Sequence, residues 1–359
     1  MRKSILLTMG VLCVASVGGL FGGHEEHSPA VLVDSSRVNG EVTLLRPDKD
    51  RWAAETMLRG VKDFYYNSKG PFVFRNKDGE WYVGKMGQKD SVKPLDGRLV
   101  PQDVESVAVS NGGDRIVWAT RAEEEGRAGL VLSDVRADEM RLAVSIKGWI
   151  LEPEWAPDDS CVAYYYGPQE AILAGIYSLG MVRFRGDKVE KEELAGPSFC
   201  IGYIGRSPPQ WSPDGKRILF EGRYTSPRGP ELNCIVDVRT KELKASPPGW
   251  WSVDGKGLFT VRHLDGSRVS PAVANPDKAE DQVEVSSIVL PRNRLGGAWS
   301  SDGSKYVYVD DALDVYLIHV RGGEREKLWT VRGYGAESAH RSPIDWGTLD
   351  WVEIPVADE

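Results

Sequence analysis

The sequence predicts an all-β chain folded as a seven-bladed β-propeller of four-stranded blades. Three observations lead there. First, a ten-residue pattern recurs along the chain. Its fullest copy is Trp211-Ser212-Pro213-Asp214-Gly215-Lys216-Arg217-Ile218-Leu219-Phe220, and variants begin at Trp155, Trp251 and Trp299, with weaker ones at Val109, Tyr65 and Trp346. Second, these starts are about 47 residues apart on average, a period that marks one supersecondary unit used many times. Third, the pattern is followed by two more apolar stretches around a charged turn, as in Asp314–Val320, Arg321–Glu324 and Lys327–Trp329. Four antiparallel strands per repeat make a propeller blade.

Taken in order along the chain, residues 1–23 have a basic start (Arg2, Lys3), an apolar run Ile5–Leu20 and small residues at the exit. They read as a signal peptide, the alternative being an N-terminal membrane anchor. Without them the net charge moves from −8 to about −10. With no basic run to offset that balance, nucleic acid is excluded as a partner, since phosphate binding needs clustered Lys and Arg. Cys161, Cys200 and Cys234 then remain, an odd number, so at most one internal pair forms and the core carries stability.

Residues 24–359 read as a single propeller, with blades 1–6 within 63–331. The copy at Trp346 has room for only one hairpin. Strand-like stretches at Ala30–Asp34 and Val42–Leu45 supply what it lacks, so the last blade combines 30–45 with 342–356. Such a closure leaves no open ring edge. Six blades is the alternative if the Tyr65 or Trp346 copy is not a hairpin. Between them, residues 48–62 show a short helical spacing of Trp52, Met57 and Leu58, with Asp48 or Asp50 as cap. Within each repeat, Asp-Gly supplies a turn, because Gly accepts positive φ and Asp bonds its own backbone. That explains the Asp without a metal. Recurrence of the Trp points to packing between blades rather than sugar stacking, and Trp250, next to Trp251, faces the other way.

The Trp-Ser-Pro-Asp-Gly-Lys copies resemble the repeats of TolB-type propellers, and also the propeller halves of prolyl-oligopeptidase-like peptidases. The resemblance covers roughly residues 30–356 and is most evident over 205–330. Two departures accompany it. The stretch before Tyr65 is short for the extra N-terminal domain of TolB, and no G-x-S-x-G nucleophile motif occurs.

Function is expected where the repeats differ. Connections between second and third strands, and from one blade to the next, share one face, the top. The longest departures are 167–175 and 196–206, followed by the approach to the last blade through 332–340. The candidate top-face binding residues are Arg121, Gln169, Tyr203, Arg223, Arg262, His263, Asp310, Asp311 and His340. No catalytic residue, metal ligand set or cofactor is assigned. The expected function is a periplasmic or secreted, non-catalytic binding or scaffold propeller that recognises a protein or an extended, polysaccharide-like ligand. The alternative is a metal-assisted, carbohydrate-active enzyme resembling oligogalacturonate lyases, with His263 and His340 near the channel.

Overall fold

The computed structural model describes residues 27–35, 40–48, 51–122, 126–173, 176–186, 188–200, 208–222, 232–247, 249–265, 268–284, 290–291, 296–300, 302–310, 314–320, 322–330 and 348–355. They form seven antiparallel sheets. Blade 1 is built from Val61–Tyr66, Pro71–Asn76, Trp81–Lys85 and Gln88–Pro94, inner strand first. Blade 2 follows with Val104–Val109, Arg115–Ala122, Arg127–Asp134 and Glu139–Lys147. Blade 3 has Trp149–Trp155, Cys161–Gly167, Ile176–Arg185 and Lys188–Cys200. Blade 4 has Gln210–Trp211, Arg217–Gly222, Leu232–Asp237 and Leu243–Ser246. Blade 5 has Trp250–Trp251, Leu258–Asp265, Arg268–Asn275 and Lys278–Glu284, with Leu290–Pro291 added to its third strand. Blade 6 has Gly296–Trp299, Lys305–Val309, Asp314–His319 and Arg325–Thr330.

Blade 7 closes the ring with Thr348–Pro355 inside and the N-terminal strands His27–Ser35, Glu41–Asp48 and Arg51–Arg59 outside. Closure by N-terminal strands agrees with the sequence reading, but the shares differ. Among the described residues the C-terminal segment contributes one strand, Thr348–Pro355, and the expected helix within 48–62 is the outer strand Arg51–Arg59. Arg-Trp-Ala-Ala-Glu-Thr-Met-Leu-Arg is rich in helix formers, yet it pairs from Asp48↔Arg51 to Glu41↔Arg59 along an otherwise open edge. A bulge between Val42 and Thr43 sets Met57 and Leu58 against the same core cluster, while Trp52 packs into the opposite one. Tertiary pairing overrides local propensity here.

The core is divided among the blade interfaces. Seven buried clusters each join two neighbouring blades, in the pairs 7–1, 1–2, 2–3, 3–4, 4–5, 5–6 and 6–7. Alternation along each strand sends successive residues to opposite neighbours. Val162 and Tyr164 face blade 2, whereas Cys161, Ala163 and Tyr165 face blade 4. Cys161 and Cys234 are both free thiols buried in the 3–4 interface, and burial pushes Cys234 up to about 11.

The repeated Trp is a staple between blades. The indole N–H of Trp155 donates to the carbonyl of Ala108 at 3.2 Å, Trp211 to Glu154 at 3.1 Å and Trp251 to Gln210 at 3.1 Å. Each acceptor lies one residue before the corresponding position of the preceding blade. Arg115 lies 4.7 Å over the Trp155 ring and Arg217 4.7 Å over Trp251, so a guanidinium from one blade caps the indole of the next. Trp299 instead stacks on Phe259 at 5.2 Å.

The Asp-Gly turns lie on the bottom face. In blade 5 the Ser252 hydroxyl donates to Asp254 at 2.7 Å, the Lys256 N–H donates to the same oxygen at 3.0 Å, and Gly255 has φ +66°. The Ser252 hydroxyl and then the Lys256 N–H hold the Asp254 carboxyl below the usual carboxylate range. A depressed folded-state value contributes stability above the unfolded value of about 3.9, and that contribution is lost as pH falls through the folded value. Asp254→Asn should therefore lower Tm at pH 7, and the gap to the native protein should narrow below about pH 4. Paired melting curves at the two pH values check this.

The inner strands are unequal. In blades 1, 2, 3, 6 and 7 they pair along most of the second strand. In blades 4 and 5 they are two residues long. Both are preceded by a proline pair, Pro208-Pro209 and Pro247-Pro248, which has no N–H to offer a ladder.

Candidate functional site

On the top face, a described cluster gathers where blades 2 and 3 meet the central channel. Arg121 is the penultimate residue of the second strand of blade 2, and Trp149 begins the inner strand of blade 3. The Arg121 guanidinium lies 4.5 Å over the Trp149 ring, and its Nη1 is 3.7 Å from the Glu105 carboxylate. Trp149 is half-buried and Glu105 exposed, so a planar cation, an indole and a carboxylate are presented together. Thr120, Ala128, Ile150 and Leu151 floor a shallow depression beneath them.

The inner strands bulge at this level. Register shifts fall between Val104 and Ser106 and between Leu151 and Glu154, and bulges re-aim side chains beside functional sites. Two acidic residues here also occupy the left-handed region: Asp103 at φ 53° and Glu152 at φ 46°. Such a conformation costs a non-glycine residue roughly 1–2 kcal/mol. Hydrogen bonds hold both in place. The Arg121 N–H donates to the Asp103 carbonyl at 3.0 Å, and the Glu152 N–H donates to the Ser106 hydroxyl at 3.0 Å. The other described non-glycine residues with positive φ, Asp138, Asp159 and Lys241, lie in bottom turns, where the turn itself demands it.

The remaining sequence candidates fall into three groups. Gln169 is exposed and opens a short helix, Gln169–Leu173, at the blade 3 top connection. Asp310 is a turn residue, since its carboxylate accepts the Asp314 N–H at 3.0 Å across the blade 6 top connection. Arg262 and His263 are consecutive on the second strand of blade 5, with side chains outside the described residues. Tyr203, Arg223, Asp311 and His340 lie wholly outside them. Of the 196–206 stretch, 196–200 continues the outer strand of blade 3, pairing Ile176↔Cys200 and Tyr177↔Phe199, and 201–206 lie outside the described residues. Among the described residues, no three His, Cys, Asp or Glu side chains gather as a metal site. Trp149 and Glu105 were not among the sequence candidates; the Gly148-Trp149 pair at a blade-to-blade connection was the available signal.

Comparison with solved structures bears on this geometry. A puromycin-hydrolysing peptidase from Mycobacterium tuberculosis is 14% identical, with a TM-score of 0.56 over 86% of this chain and 52% of that one. The chain is a β-propeller, and the likeness is one of fold. It spans about half the length of that peptidase. An oligogalacturonate lyase solved with manganese is 11% identical, with a TM-score of 0.52 over 83% of this chain and 89% of that one. TolB from Acinetobacter baumannii is 15% identical, with a TM-score of 0.44 over 90% of this chain and 83% of that one. No family model and no curated protein sequence matches the chain.

Proposed function

We propose that this propeller is a non-catalytic binding module that engages a protein or an extended ligand on its top face, outside the cytoplasm. The observation that carries this reading is the Arg121–Trp149–Glu105 cluster, a stacked cation and indole at the channel mouth. Arg and Trp are the residue types most often found to dominate binding energy. The bottom face offers a contrast: its Asp and Ser side chains are engaged in their own turns, as at Ser212–Asp214, Ser252–Asp254 and Ser300–Asp302. The extracytoplasmic placement rests on the basic start and apolar run of residues 1–23. No helix among the described residues is long and apolar enough to cross a membrane.

A pull-down from an envelope extract tests the reading with matched variants. Arg121→Ala/Trp149→Ala, and separately deletion of 201–206, should lower partner capture about tenfold, a loss of about 1.4 kcal/mol. The bottom-face variant Lys256→Ala should capture normally. Undiminished capture by both top-face variants, or loss with Lys256→Ala, would contradict it.

A further inference from the structure

A latch joins the bottom turns of blades 2 and 3. In blades 4 and 5 the glycine of the bottom turn lies over the preceding blade. A Cβ on Gly215 would lie 3.9 Å from Pro157 Cδ, and one on Gly255 would lie 3.5 Å from Pro213 Cδ. Blade 3 places Asp159 at that glycine position, with φ 56°. Blade 2 places Asn111 beneath it, where blades 3 and 4 have Pro157 and Pro213. The Asp159 carboxylate accepts the Asn111 N–H at 2.8 Å, the Asn111 side-chain amide at 2.7 Å and the Gly112 N–H at 3.1 Å. The same side-chain amide donates to the carbonyls of Ala156 at 3.1 Å and Pro157 at 3.2 Å. Arg115 Nη2 adds a bond to the Asp159 carbonyl at 2.7 Å. The groups bonded to Asn111 Nδ2 are thus all acceptors.

Asn-Gly is also a dipeptide open to deamidation, because glycine has no Cβ to shield its own nitrogen. The Gly112 nitrogen would attack Asn111 Cγ and lose its proton to solvent. A new N–Cγ bond forms, the Cγ–Nδ2 bond breaks and ammonia leaves. Water then opens the resulting succinimide to aspartate or isoaspartate. We propose that Asn111 is such a modification site, gated by the seam between blades 2 and 3. In the closed latch the Gly112 N–H points at a carboxylate, a charge-assisted bond that keeps the proton on the attacking nitrogen. The leaving amide is held by its acceptors. Local opening of the seam removes both restraints, and Gly112 is exposed to the water that the second step consumes. Conversion also opposes reclosing. A carboxylate at 111 has no N–H to donate. It would face the Ala156 and Pro157 carbonyls and the Asp159 carboxylate, so that the closed state pays for unpaired acceptors and a like-charge contact. The modified chain keeps a covalent record of opening. This inference stands apart from the top-face reading.

The test incubates the full chain at mildly alkaline pH and reads deamidation by mass spectrometry on the tryptic peptide Leu99–Arg115, in which Asn111 is the sole asparagine. The native chain should convert slowly, and the same chain in urea fast. Asp159→Ala removes the carboxylate from the N–H groups of Asn111 and Gly112. It should still melt cooperatively and convert about tenfold or more faster than the native chain, the factor expected when bonds to a charged acceptor are lost. If it does not fold, Asp159→Asn, which keeps a neutral acceptor, should show a smaller increase. Asn111→Asp, the product without the reaction, should lower Tm. Asp159→Asn in the same chain should restore part of that loss, because an amide at 159 can donate to the new carboxylate. Three results would overturn the proposal: native conversion as fast as in urea, a folded Asp159 variant converting no faster than the native chain, or Asn111→Asp melting like the native protein.

Discussion

Trp155→Ala should be among the most destabilising single substitutions in the chain, at about 3–5 kcal/mol by equilibrium denaturation. Trp155 is 3% exposed and sits in the 2–3 interface with Ile150, Val162 and Tyr164. Truncation removes its packing, leaves the Ala108 carbonyl without its indole donor, and strips the Arg115 guanidinium of the ring beneath it. Set against a typical domain stability of about 5–15 kcal/mol, that is a large share. Trp250→Ala is the control. It lies beside the repeat position of blade 5 but is 37% exposed, so its effect should stay within about 0.5 kcal/mol. Equal effects for the two would mean that the repeated Trp does not hold neighbouring blades together.

Removing the last inner strand should have a still larger effect. Without 348–359, the N-terminal strand His27–Ser35 loses its pairing from His27↔Pro355 to Asp34↔Thr348. The fully buried Val31 and Val33 of the 6–7 interface then lie beside an open edge. A ring has no spare interface, so loss of one seam weakens all the blades that depend on closure. The truncated chain should lose its cooperative thermal transition. A synthetic peptide of residues 346–359, added in trans, should restore it by re-forming the strand. A truncated chain melting like the full one would show that blade 7 does not close the ring.

Much of this architecture was legible because turns and packing anchors repeat. Trp, Asp-Gly and the alternating apolar strand recur together, and each has a local physical reason to do so. The partition of blade 7 was less legible. Ala53, Ala54, Glu55, Met57 and Leu58 are good helix formers, and only the free edge of Glu41–Asp48 makes them a strand. The blade 1 copy starts at Tyr66 rather than Tyr65, because its turn is shorter: Asn67 N–H bonds Pro71, where Ser212 N–H bonds Arg217. The candidate site was less legible again. Arg121 stood out as a charge in a top connection, but its partner Trp149 lies outside the repeated motif, at the far end of the strand that Trp155 terminates. Asp310, a candidate top-face binding residue, accepts the N–H of Asp314. A side chain's partners across a ring are set by blade order, which no local pattern encodes.

Amide hydrogen exchange along the second strands of blades 3 and 6 tests the central claim most directly: a closed ring of seven blades. Exchange should be slow throughout Cys161–Gly167 and Lys305–Val309, which are paired on both sides. Fast exchange along Cys161–Gly167 or Lys305–Val309 would contradict the ring itself.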